Sequence, residues 1–118
     1  MAGQIKTIDY DLDNDILFIS NEEKVKFSLD IGEFVLDVSH SNLICGIEIM
    51  DASDNLGVSK EVLKKIQNIK MSVNYKTNHV YVLLMIVFKK DGKEVNVPIP
   101  LTLNLGHKTP RKDVLVYN

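Results

Sequence analysis

Glu48 and Asp51 stand three residues apart at the end of an apolar run of this 118-residue chain, an acidic pair of the residue types that could do acid–base work. Two carboxylates can divide the roles of general acid and base when burial drives their pKa values apart. A rim residue followed by the turn that leads into a helix is the more economical reading of the same pair. Asp9, Asp11, Asp13 and Asp15 recur at every second position, like the first ligands of a calcium loop. The register fails. Counting from Asp11 puts Glu22 at position 12 but Ile16 at position 6, where a sharp turn wants glycine; counting from Asp9 puts Ser20 where the bidentate glutamate belongs. A turn whose aspartates bond their own backbone is expected instead.

His40, His79 and His107 are far apart, and none has the neighbours of a zinc motif, so no metal site and no cofactor are expected. There is no G-x-S-x-G elbow and no glycine-rich phosphate loop. Cys45, the single cysteine, lies between Ile44 and Gly46 in an apolar stretch and reads as a small buried hydrophobe. Lys89, Lys90, Lys93, Lys108, Arg111 and Lys112 form the candidate basic patch, the side chains that could meet phosphate. Solvated turns account for most of them, and no aromatic residues interleave with them along the sequence as a single-strand binder would need.

The elements that must position these residues read as follows. Ile5 to Tyr10 and Ile16 to Ser20 make a hairpin about the aspartate turn, and Val25 to Leu29 pairs with Phe34 to Val38 across Ile31-Gly32-Glu33. A fifth strand, Ile44 to Met50, alternates Ile47 and Ile49 against Glu48, and Gly46 marks a bulge or a close backbone approach. Ser59 is an N-cap with Glu61 in the first turn, opening one short helix over 60–68, with Val62, Leu63, Ile66 and Ile69 recurring at helical spacing. Period two then returns from Ile69 to Tyr75. Val80 to Phe88 is apolar on both parities, so it is expected to be covered on both faces, one of them by a second subunit. Asp91-Gly92 makes a hairpin turn, and Pro98 and Pro100, two apart, blank one edge of the strand that follows. Gly106 to Lys112 reads as a basic loop and Val114 to Tyr117 as a short docking strand. Tyr75 to Val82 faintly echoes Tyr10 to Leu17, which keeps internal duplication of a hairpin open as an alternative.

The size suits one domain, and the balance of 45% hydrophobic to 25% charged residues is that of a chain that folds. The longest apolar run is too short to cross a bilayer as a helix and the N-terminus lacks a signal's apolar core, so a cytoplasmic location and no membrane contact are expected. Charge is divided: residues 1–59 carry 12 acids and 3 lysines, a net of −9, and residues 60–118 carry 11 basic and 4 acidic residues, a net of +7. Such halves attract each other, within one chain or between two copies, and this is preferred to a nucleic-acid surface.

Tyr10-Asp11, Asp15-x-Leu17-x-Ile19, Val25-Lys26, Val35-x-Asp37 and Gly46-Ile47-Glu48-Ile49-Met50-Asp51-Ala52-Ser53 together resemble a small prokaryotic family of unknown function, domain of unknown function 2283, over about residues 5–55. The resemblance implies a β-meander and an antitoxin-like partner role, carries no catalytic residues, and makes Tyr10, Asp15, Glu48 and Asp51 the candidate functional surface.

The expectation is therefore an α+β single domain of antiparallel β-meanders flanking one short helix, sandwich-like or partly closed. Its parts are an acidic meander over 5–55, the helix over 56–68, a second meander over 69–105, and a C-terminal loop and short strand over 106–118. The function expected first is a non-catalytic, self-associating or protein-binding module, either a homo-oligomer or the mate of a small protein. An antitoxin-like or nucleic-acid-binding regulator using the basic half is the second reading, and an enzyme using Glu48 and Asp51 the third.

Overall fold

A computed structural model describes residues 2–117. Strands hold 61% of them, and both helices are minor, so the protein is mainly β and not the α+β fold with one helix that the sequence suggests. The strands are β1 (Ala2–Gln4), β2 (Thr7–Asp11), β3 (Ile16–Ser20), β4 (Val25–Ile31), β5 (Phe34–Ser39), β6 (Ile44–Ile49), β7 (Ile66–Tyr75), β8 (Val80–Lys90), β9 (Lys93–Leu103) and β10 (Arg111–Tyr117). The helices, α1 (Ala52–Leu56) and α2 (Lys60–Leu63), lie between β6 and β7.

The chain divides into two compact units, Ile5–Lys65 and a second made of residues 1–4 with Ile66–Asn118. Each holds one open five-stranded sheet. In the first the order is β2-β3-β6-β5-β4, wholly antiparallel. Alternation sets its two faces: Leu17, Ile19, Leu36, Ile47 and Ile49 are fully buried on one, and Asp9, Phe18, Val35 and Glu48 lie on the other. The second sheet has the order β1-β10-β7-β8-β9, antiparallel except for the β1–β10 pair. Its buried face carries Ile69, Met71, Val73 and Tyr75 from β7 and Val80, Val82, Leu84, Ile86 and Phe88 from β8.

The 60–68 helix is corrected to two short ones. Ser59 does cap α2, its side chain accepting from the Val62 N–H, but the helix ends at Leu63. Ile66 and Ile69, spaced for a helix, instead pair with Phe88 and Ile86, because β-branched side chains fit a pleated surface and β8 offers a long apolar partner for them. The Asp51-to-Gly57 break contains α1, closed by Gly57 in the left-handed region at φ 67°. Arg111 and Lys112, placed in a loop by their composition, belong to β10, which inserts between β1 and β7. Gly106 lets the preceding loop close on the β7–β8 turn, since a Cβ there would overlap the Thr77 carbonyl. β9 is an edge strand, with Pro98 opposite Met85 and Pro100 opposite Leu83, so prolines stand where no further strand needs a donor.

Candidate functional site

The β2–β3 turn is built from residues that bond locally. Asp11 accepts from the Asn14 backbone N–H (3.1 Å) and side-chain amide (2.8 Å), and these bonds hold its carboxyl below the usual range. Asp15 closes the turn at φ 55°, a left-handed conformation that aspartate tolerates. That conformation aims its side chain across the unit to the start of α1. There it accepts from the Ser53 hydroxyl at 2.6 Å and from the Ser53 N–H at 3.0 and 3.2 Å. The Tyr10 hydroxyl donates to it at 2.7 Å, and the Asp15 carbonyl accepts from the Ala52 N–H at 2.9 Å. Thirty-eight positions of sequence are closed by this clasp, and Asp15 is only 9% exposed.

Burial alone would push the Asp15 carboxyl upward; the bonds from Ser53 and Tyr10, with the Lys60 charge, outweigh it and leave the group below its ordinary range. Tyr10 moves the other way, to about 12, through desolvation first and then its bond to the Asp15 carboxylate. The cluster is therefore an ionised carboxylate saturated by protein donors.

A second close contact lies along β6. Cys45 interrupts the β5–β6 register, so that Asp37 pairs with Gly46 and Val38 with Ile44. The Asp37 carboxylate rests over Gly46, where a Cβ would come within 3.0 Å of its Oδ2 and 3.2 Å of the Ile19 carbonyl. The Ser28 hydroxyl donates to Asp37 at 2.6 Å. Cys45 itself is buried, and burial, with Asp37 and Glu23 adding, pushes its thiol up to about 11, far from a reactive thiolate.

The four residues of the candidate surface fall in three places. Tyr10 and Asp15 meet in the clasp, with Ser53 as the third member that the sequence did not single out. Glu48 faces the opposite side of the sheet, opposite Phe18 on β3 and Val35 on β5. Asp51 is the exposed left-handed residue before α1 at φ 44°, and its side chain makes no capping bond. The candidate basic residues also divide. Lys89, Lys90 and Lys93 flank the β8–β9 turn, with Lys89 opposite Glu94. Lys108, Arg111 and Lys112 lie toward the other end, where Arg111 is level with Tyr75 and Val80 and its guanidinium donates to Asp113 at 2.9 and 3.1 Å. Ten strand steps from Val80 to Lys90 separate those ends by about 34 Å. His107 packs edge-on to Tyr75, and His79 edge-on to Tyr81. Among the described residues no group of three or more His, Cys, Asp or Glu is placed to hold a metal ion, and no helix is long and apolar enough to cross a membrane.

β8 contributes the other surface feature. One parity of this strand is fully buried, and the other leaves Tyr81 44% and Leu83 42% exposed, followed by half-buried Met85 and Val87. Pro98 and Pro100 stand beside them on the same face. In the single chain, then, β8 is covered on one face only.

The clasp, the Gly46 contact and the Glu48 row all lie in one span of sequence. Residues 7–53 match the family described as "Protein of unknown function (DUF2283)". The DUF2283 span begins at β2 and ends on Ser53, so its two ends meet in the clasp. The chain is similar to a Methanosarcina mazei protein named "Putative hypoxanthine phosphoribosyltransferase", at 29% identity over 75% of this chain and 72% of that protein. It is also similar to an uncharacterised protein of Methanocaldococcus jannaschii, at 39% identity over 49% of this chain and 51% of that one. No solved structure matches the chain.

Proposed function

We propose that the protein is a non-catalytic, self-associating module whose contact surface is the open face of the second unit's sheet. The observation that carries this reading is the strip of Tyr81, Leu83, Met85 and Val87 on β8, widened by Pro98 and Pro100 on β9. Contiguous exposed apolar side chains with a polar margin, here Lys70, Ser72, Asn74, Asn96 and Thr102 on neighbouring strands, have the composition of a docking face. Strands of 3, 7, 10, 11 and 11 residues at about 4.8 Å spacing give this sheet roughly 700 Å² of face, close to the share one partner contributes to an interface of standard size.

Catalysis has less support. The name of the M. mazei relative would suggest a phosphoribosyltransferase role, but Asp15, the buried carboxylate of the matched span, has its oxygens taken up by Tyr10 and Ser53. Glu48 and Asp51, the pair that could act as acid and base, lie one on the sheet face and one in a turn. The regulator reading would draw on two separated basic groups and not on one patch.

Size-exclusion chromatography with light scattering across a range of protein concentrations tests the proposal. Assemblies larger than one 13.4 kDa chain are expected. A strict monomer at every concentration would overturn it.

A further inference from the structure

The register of the first unit draws one line across all five strands of its open face. Asp9 is opposite Phe18, Phe18 opposite Glu48, Glu48 opposite Val35, and Val35 opposite Asp30. The row alternates acid and apolar, with carboxylates on every second strand and so about 9.6 Å apart. No cation sits in that row. On the open face of the second unit the apolar strip is bordered mainly by cations instead: Lys70 lies opposite Met85, and Lys89 follows Val87 on the same side of β8, with Glu94 opposite it. The units as a whole repeat the contrast. Residues 5–65 hold 13 acids and 6 lysines, a net of −7, and the rest of the chain holds 8 basic and 3 acidic residues, a net of +5.

Resting on the self-association proposed above, we propose that the occupant of the second unit's open face is the open face of the first unit in a second copy of this chain. Phe18 and Val35 then meet the apolar strip, while Asp9, Glu48 and Asp30 meet its cationic border. Strands of five to seven residues make the first unit's face about 20 Å long, so one contact covers roughly 500 Å² per partner. That lies at the low end for a specific interface, where charge complementarity contributes much of the recognition and salt weakens it.

The test uses the full-length chain in two charge-reversed forms at exposed positions: Lys70→Glu with Lys89→Glu, and Asp9→Lys with Asp30→Lys. Circular dichroism and thermal melting first establish that each is folded. By sedimentation velocity in 50 mM salt, each form alone is expected to associate at least tenfold more weakly than wild type. An equimolar mixture is expected to recover association, because both contacts are again between opposite charges, and raising salt to 0.5 M is expected to weaken the wild-type assembly. If wild type assembles but the mixture does not recover, or if Asp9→Lys with Asp30→Lys associates as strongly as wild type, or if salt leaves or strengthens the assembly, this inference is overturned while self-association stands. If wild type is a monomer in 50 mM salt at every concentration, both fall.

Discussion

The two units have five strands each and keep their registers by different means. The second is a matter of length: β7, β8 and β9 run for 10 or 11 residues, β8 is paired with β9 from Val80 to Lys90 without a break, and the β7–β8 pair shifts register only at its end, between Ile66 and Asn68. Long alternating strands with one buried face specify their own pairing, because a one-residue slip would turn the apolar set outward. The strands of the first unit are five to seven residues long, and both β4–β5 and β5–β6 contain a shift of register. Here single side chains do the fixing: Asp15 ties the β2–β3 turn to α1, and Asp37 occupies the space that Gly46 leaves. The family pattern falls on the unit that needs such residues. Tyr10, Asp15, Gly46 and Ser53, all within the matched span, each have a part in that architecture.

Breaking the clasp is the largest expected effect. Asp15→Ala removes a carboxylate that accepts from Tyr10 and Ser53, and it leaves alanine at φ 55°; a loss of about 3 kcal/mol in urea unfolding is expected, with Asp15→Asn losing less. Gly46→Ala is expected to cost about 2 kcal/mol, since Asp37 can give way but the Ile19 carbonyl cannot. Tyr10→Phe is expected to cost about 1 kcal/mol at neutral pH, and its pH dependence is diagnostic. The folded Tyr10 pKa is raised to about 12, so its contribution is complete below the ordinary value near 10 and lost between 10 and 12. Wild type and Tyr10→Phe should therefore converge in stability across that window. The Asp15 carboxyl is depressed, so its contribution is present above pH about 4 and lost as the pH falls through the lower folded value. Acid unfolding that is identical in wild type and Asp15→Asn would contradict this. The smallest effect on stability belongs to the second unit's open face: Leu83→Asp, at a residue 42% exposed, is expected to change it by about 1 kcal/mol or less while association is lost.

What was legible in the sequence was local. The Asp91-Gly92 turn, with φ of 51° and 76°, follows from residue types that accept left-handed backbone, and the proline-guarded edge follows from parity alone. The strand Ile16–Ser20 and the cap at Ser59 were equally readable, because each depends on near neighbours. The family resemblance was readable too, since its pattern is a run of residue types. Placements decided by distant partners were not. Ile66 and Ile69 carry a helical spacing that only pairing with β8 overrides, and β1 exists because β10 gives it a parallel neighbour. Ser53 gives no local sign that it will meet Asp15. Glu48 and Asp51, three residues apart in the pattern, are parted because a strand and the turn that ends it present them differently.

Sedimentation equilibrium on Tyr10→Phe and Leu83→Asp, side by side under conditions where wild type assembles, separates the frame from the contact surface most directly. The expected result is that Tyr10→Phe assembles as wild type does and Leu83→Asp stays at the mass of one chain. The reverse, a monomeric Tyr10→Phe and an assembling Leu83→Asp, would contradict the division of roles between the two units.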